Sequence, residues 1–198
     1  MPMAQMRSKH RRSGLAAATH VALLRGINVG GKNPLPMELL AGLFESIGCQ
    51  AVRTYIQSGN VLFEATEALA RRVPKAIRQA ILEKTHLGVP VIVRTAQELA
   101  TVVRANPFLE TGAEPKTLHV AFLADQPSAA QVATLDPRRS PPDEFVARGC
   151  EIYLRLPSGV ARTRLTNAYF DSKLATVSTL RGIGTLEQLL ELCDARPT

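Results

Sequence analysis

The order in which hydrophobic patterns succeed one another along residues 20–95 constrains this chain more than any other feature. His20–Arg25 carries apolar Val21, Leu23 and Leu24 and reads as a buried strand. A loop rich in Gly, Asn and Pro runs from Gly26 to Pro36. Met37, Leu39, Leu40, Leu43, Phe44 and Ile47 then recur at helical spacing, and Gly48 suits the end of that helix. Val52–Gln57 is rich in β-branched and aromatic residues, Ser58-Gly59-Asn60 supplies a tight turn, and Val61–Phe63 returns as a second strand. A second helical stripe follows in Leu69, Val73, Ile77, Ile81 and Leu82, with Pro74 marking a start or a bend. Val89–Arg94 is the next strand. Strand, helix, strand, strand, helix, strand is the order of a split βαβ unit, in which two helices cover one face of an antiparallel sheet.

The second half repeats the order of elements without repeating residues. Thr95 caps a helix that runs to Arg104 and is stopped by Asn106-Pro107. Leu118–Leu123 reads as a strand, Ser128–Leu135 as a short helix, and Glu144–Arg148 with Glu151–Leu156 as a hairpin. Thr163–Leu174 reads as a helix with Thr163 as its cap, Thr176–Leu180 as a weak strand, and Thr185–Cys193 as a last helix. The expected fold is α+β: two tandem ferredoxin-like (βαββαβ) plaits, at residues 20–95 and 117–198, joined by a helical connector at 96–116.

Composition narrows the class. With 45% hydrophobic and 21% charged residues, the chain holds too much apolar side chain for wholesale disorder. It lacks the run of about 18 apolar residues that a membrane helix needs, so no membrane partner is expected. The net charge of +7 is uneven, because Arg7, Lys9, Arg11 and Arg12 lie in a stretch of nineteen residues without an acid. Residues 1–19 are read as a disordered basic extension, with a nonspecific nucleic-acid arm as the functional alternative. His20 and Arg25 interrupt the apolar run that a secretory signal would require. Cys49, Cys150 and Cys193 are widely spaced and include no CxxC pair, which points to free thiols in a reducing cytoplasm and to no metal site.

Three clusters carry the candidate chemistry. In Arg25-Gly26-Ile27-Asn28-Val29-Gly30-Gly31-Lys32-Asn33, Gly26, Gly30 and Gly31 open backbone geometry closed to other residues. Consecutive amides there can form an anion nest, to which Arg25 and Lys32 add charge. Gly26 to Lys32 matches the first seven positions of a Walker A loop, but Asn33 stands where Ser or Thr would hold magnesium, and Pro34 disfavours a helix there. The plainer reading is a Gly-rich connection whose Asn and Lys residues only fix the loop. The second cluster, Arg53-Thr54-Tyr55-Ile56-Gln57-Ser58-Gly59-Asn60, places Arg53, Tyr55 and Gln57 on one strand face, with Val52, Ile56 and Val61 as the core side. That face either binds bases on Tyr55 or is closed by the second unit. The third cluster is Arg162, Arg164 and Asn167 at a helix start, where cations are disfavoured unless an anion is bound; the plainer reading is a capped helix with solvated arginines, and the alternative is a second anion contact joined by Arg181.

Val21 to Asn33 and Arg53 to Val61 together resemble the bacterial family called domain of unknown function 1697. Val91-Ile92-Val93-Arg94-Thr95, Asn106-Pro107-Phe108, Lys116 with Leu118-His119-Val120, Tyr153-Leu154-Arg155 and Leu165-Thr166-Asn167 extend the resemblance over about residues 20–193. It implies a two-part α+β fold and no activity. The family's usual Asn-Trp-Asn before the last helix is replaced by Gly182-Ile183-Gly184 here, between Arg181 and Thr185.

No GxSxG elbow is present, and His86, His119, Glu151 and Asp171 have no evident catalytic partner. The leading expectation is a cytoplasmic binding module for an anionic ligand, a nucleic acid or nucleotide, with no cofactor. The alternatives are an enzyme acting on a small phosphorylated or carboxylated metabolite between the two units, and an interaction protein without a small ligand.

Overall fold

Strand β1 (Ala18–Leu24) is buried on both faces, which is why its sequence is a nearly continuous apolar run. Ala22 and Leu24 point into one core while Val21 and Leu23 point into another. Strand β5 (Leu118–Leu123) repeats the arrangement, with Ala121 and Leu123 on one side and Val120 and Phe122 on the other. Each of these strands lies inside a four-stranded sheet whose paired strands are all antiparallel.

The computed structural model describes residues 17–195. The first sheet has the order β2-β3-β1-β4, with β2 (Gln50–Tyr55), β3 (Asn60–Ala65) and β4 (Val91–Thr95). Helix α1 (Met37–Ser46), the single turn α2 (Glu67–Ala70) and α3 (Val73–Thr85) accompany it. Helix α4 (Ala96–Arg104) leaves β4 directly through a capping box made by Thr95 and Glu98. The second sheet has the order β6-β7-β5-β8, with β6 (Glu144–Arg148), β7 (Glu151–Arg155) and β8 (Ser178–Gly182). Its helices are α5 (Ala129–Val132), α6 (Asn167–Leu174) and α7 (Ile183–Asp194).

Three hydrophobic clusters follow from this layering. Leu40, Leu43 and Phe44 of α1 and Ile77 and Ile81 of α3 cover the outer face of the first sheet. Tyr169, Phe170 and Leu174 of α6 cover the outer face of the second. The inner faces share one core: Val21, Leu23, Leu62 and Ile92 from the first sheet, Val120, Phe122 and Tyr153 from the second, and Leu99, Val102, Ile183, Leu186 and Leu189 from α4 and α7. The helix expected as part of a connector therefore occupies in the first half the place that α7 has in the second, and the two pack together. The open face expected on the first sheet is closed, as the plainer reading of Arg53 and Tyr55 held.

Several boundaries differ from expectation for local reasons. β1 starts at Ala18, inside the segment read as a disordered extension, while Arg7, Lys9, Arg11 and Arg12 lie outside the described residues. Ile56 is not core: it takes φ 48°, ends β2 at Tyr55 and is 51% exposed. The stripe from Leu69 to Leu82 breaks where Pro74 enters the first turn of α3. Helix α6 begins after Thr166, whose hydroxyl accepts from Tyr169 N, whereas Thr163 turns the chain earlier by accepting from Leu165 N. The weak strand is a full one, β8, because it fills the edge beside β5.

Candidate functional site

Three of the arginines singled out by the sequence, Arg25, Arg53 and Arg181, converge on the junction between the halves, whereas Arg162 and Arg164 do not. Arg181 leaves β8 and enters the first unit, where it is buried to 9% exposure. Its Nε donates to Asn60 Oδ1 at 2.7 Å, and Nη1 to Thr179 Oγ1 and Leu180 O at 2.8 Å each. Nη2 donates to Leu24 O at 2.6 Å, with Ser58 O and Gly59 O at 3.3 and 3.4 Å. A guanidinium has five N–H donors, and these partners occupy all of them. Burial pushes its pKa down to about 10, still far above neutrality, so the group stays charged. It fastens the two units together and offers no donor to a ligand.

Asn60, fully buried at the start of β3, completes that knot through Nδ2, which donates to Ser58 Oγ at 2.8 Å and Tyr55 O at 3.3 Å. Gly59 must be glycine: a Cβ there would lie 2.8 Å from Leu24 Cβ, and its φ is +77°. Arg53 reaches across the closed sheet face to the end of α7, where its guanidinium donates to Leu192 O at 2.7 Å and Ala195 O at 3.3 Å. A cation at that position answers the unpaired carbonyls and the negative end of the helix. Tyr55 packs beside the shared core, so it is no platform for a base. Gln57 remains exposed, near Asn28 and the Pro34–Met37 segment.

The Gly-rich loop is held by its own bonds. Asn28 pairs with the Leu35 backbone in both directions, at 2.8 and 2.9 Å. Asn33 Nδ2 donates to Gly26 O at 2.7 Å, and Lys32 N donates to Val29 O at 3.0 Å across Gly30 and Gly31. Gly30 and Gly31 have φ of 56° and 74°, the signature of a hairpin turn with both central residues left-handed. Lys32 is exposed at its tip. Asn167 Oδ1 accepts from Ser178 Oγ at 3.1 Å, and Arg164 is exposed on the far side of the second unit.

Arg25 does face a cavity. Its Nη1 contacts Asp171 Oδ2 at 2.6 Å and Ser178 O at 2.9 Å, and Asp171 Oδ1 accepts from Ser178 N and Oγ at 2.7 Å each. Beside it lies a cleft of about 480 Å³ lined by Arg25, Pro74, Lys75, Arg78, Pro90, Val91, Ala124 and Val177. The walls come from corresponding places in the two halves. Arg25 N donates to Pro90 O at 3.1 Å just beyond β1, and Ala124 N donates to Val177 O at 2.8 Å just beyond β5. Lys75 and Arg78 were missed as site residues because each alone is an ordinary exposed helix cation. The available signal was their three-residue spacing near the start of a helix whose first turn holds no acid.

Among the described residues no group of three His, Cys, Asp or Glu is placed to hold a metal, and no helix is long and apolar enough to cross a membrane. The three cysteines are unpaired; burial pushes the Cys49 thiol up to about 11 and raises Cys150 and Cys193 as well, which makes all three poor nucleophiles.

No curated protein matches the chain. Among solved structures it is similar to the conserved bacterial protein SP0830 from Streptococcus pneumoniae, at 18% identity and a TM-score of 0.68, over 91% of this chain and 100% of that one. At that identity the likeness speaks for the fold. Residues 17–153 match the family model described as protein of unknown function (DUF1697). That span holds the Gly-rich turn, the Asn60 knot and Arg25, and on it the chain belongs to the DUF1697 family.

Proposed function

We propose that this protein is a binding module for a small anionic ligand, built from two ferredoxin-like plaits and holding the ligand in the cleft beside Arg25. The strand orders β2-β3-β1-β4 and β6-β7-β5-β8, all antiparallel, support the plait reading. The observation that carries the binding reading is the lining of the cleft: Arg25, Lys75 and Arg78 with no acid among the wall residues. Lys75 and Arg78 take part in no ion pair among the described residues, while Arg25 shares its charge with Asp171. Pro74, Pro90, Val91, Ala124 and Val177 add an apolar wall. The ligand class this fits is a phosphate or carboxylate joined to a flat or apolar body, with a nucleoside monophosphate as the model compound. A volume of about 480 Å³ suits such a molecule.

Binding is favoured over catalysis because the wall holds no carboxylate, imidazole, thiol or hydroxyl side chain. The reading sets the protein in the reducing cytoplasm, which three unpaired thiols support. The test is a thermal-shift screen of nucleoside monophosphates and sugar phosphates on the wild type and on Lys75→Ala/Arg78→Ala. A ligand at one hundred times its Kd stabilises by about 2.7 kcal/mol. The double variant should melt normally alone and lose that gain. A panel in which no compound shifts the wild type overturns the reading.

A further inference from the structure

We propose that a second, separate surface binds the phosphate backbone of a nucleic acid: the four arginines Arg138, Arg139, Arg162 and Arg164 on two adjoining loops of the second unit. All four are exposed, and none joins an ion pair among the described residues. The surface is independent of the cleft.

The two loops are bound into one body. Ser140 Oγ, buried, accepts from Arg164 N at 2.9 Å and donates to Asp143 Oδ2 at 2.7 Å. Arg139 Nε donates to Arg164 O at 3.0 Å, and its guanidinium lies 4.0 Å over the Tyr169 ring. Thr163 and Leu165 are buried while Arg162 and Arg164 are exposed, so both arginines face solvent. The four arginines outnumber the segment's two acids, Asp136 and Asp143. Asp143 is buried against Ser140, and Asp136 Oδ1 accepts from the backbone N of Arg138. The start of α6, immediately beyond Leu165, adds its positive end to the same region.

Like charges on two joined loops repel one another, and a partner with several anions relieves that repulsion. Every position is Arg rather than Lys, and the guanidinium fork matches phosphate oxygens in pairs. Stacking on Tyr169 and the bond to Arg164 O fix Arg139 before any partner arrives, which suits a phosphate chain of regular spacing. A bilayer is the less fitting partner, because Val160, 47% exposed, is the one large apolar side chain strongly exposed in these loops.

The experiment is fluorescence anisotropy with labelled 20-nucleotide single-stranded and duplex DNA over a series of salt concentrations, using the full chain. Arg162→Ala/Arg164→Ala is the informative variant, since neither guanidinium makes a hydrogen bond within the described fold. Wild-type affinity should fall linearly on a log–log plot against salt. The variant should bind at least tenfold more weakly at low salt, and its slope on single strands should be shallower by about 1.4, two contacts at about 0.7 each. Its melting temperature should match the wild type, and Lys75→Ala/Arg78→Ala should leave the slope unchanged. The proposal is overturned if the wild type does not bind at low salt, or if the slope is the same in the arginine variant, which would assign binding to other basic residues. It is equally overturned if the variant loses only affinity for phosphatidylserine vesicles.

Discussion

Arg181 Nη2 lies 2.6 Å from the carbonyl oxygen of Leu24, a residue 157 positions earlier in the chain. The bond joins the end of β1 to the middle of β8, and it is one of several from a guanidinium that has no carboxylate partner among the described residues. Neutral acceptors alone offset the cost of burying that charge. Arg181→Lys keeps the charge but has only three donors on a narrower head, so carbonyls of Leu24, Ser58 and Gly59 go unpaired. We expect a loss of about 3 kcal/mol in guanidinium unfolding. A loss under about 1 kcal/mol would contradict the assigned role.

Gly59 and Gly30 separate two reasons for glycine. Gly59→Ala meets both a left-handed backbone and the Leu24 and Ile27 side chains, the nearest at 2.8 Å, and should cost well over 2 kcal/mol. Gly30→Ala faces open space with φ of +56°, so only backbone strain of about 1–2 kcal/mol applies. Denaturation midpoints of the two variants should fall in that order; the reverse order would contradict the close approach of Gly59 to Leu24 and Ile27.

Ile56→Asn should stabilise the protein. A β-branched residue at φ 48° is strained, and at 51% exposure it contributes little packing. Asn tolerates the left-handed region, so a gain of about 1 kcal/mol is expected from equilibrium unfolding. A destabilised variant would show that Ile56 makes contacts worth more than its strain.

His119 gives the stability a pH dependence. Burial lowers its pKa from the ordinary 6.5, partly offset by its hydrogen bond to Thr117 O. The native state therefore resists protonation more than the unfolded chain does. The contribution is complete above pH 6.5 and is lost as pH falls below that value toward the native pKa. Unfolding free energies measured at pH 7.5 and pH 5 should differ less in His119→Gln than in the wild type. An equal difference in the two would sink the assignment.

What was legible in the sequence is what neighbouring residues decide. The hydrophobic period placed β1, α1 and β5 within a residue or two, and Thr95 announced the cap of α4. Long-range choices were not legible. Thr163 and Thr166 are equally good caps by type, and only Leu165 turning into the outer core decides for Thr166. The roles of Arg53 and Arg181 depend on α7 and β1 lying beside residues more than a hundred positions away. The Gly-rich segment was legible as a loop fixed by its asparagines, but not that Asn28 bonds to Leu35 and Asn33 to Gly26. Lys75 and Arg78 acquire meaning only opposite Ala124 and Val177 of the other unit.

The shared core also sets an order of events during synthesis. Val21, Leu23 and Leu62 wait for Ile183, Leu186 and Leu189 to cover them, and Leu24 waits 157 residues for Arg181. At roughly 5–20 residues per second, a ribosome takes about 8–30 s to deliver those partners. For that interval the nascent first sheet carries an uncovered apolar face, the kind of surface that chaperones hold.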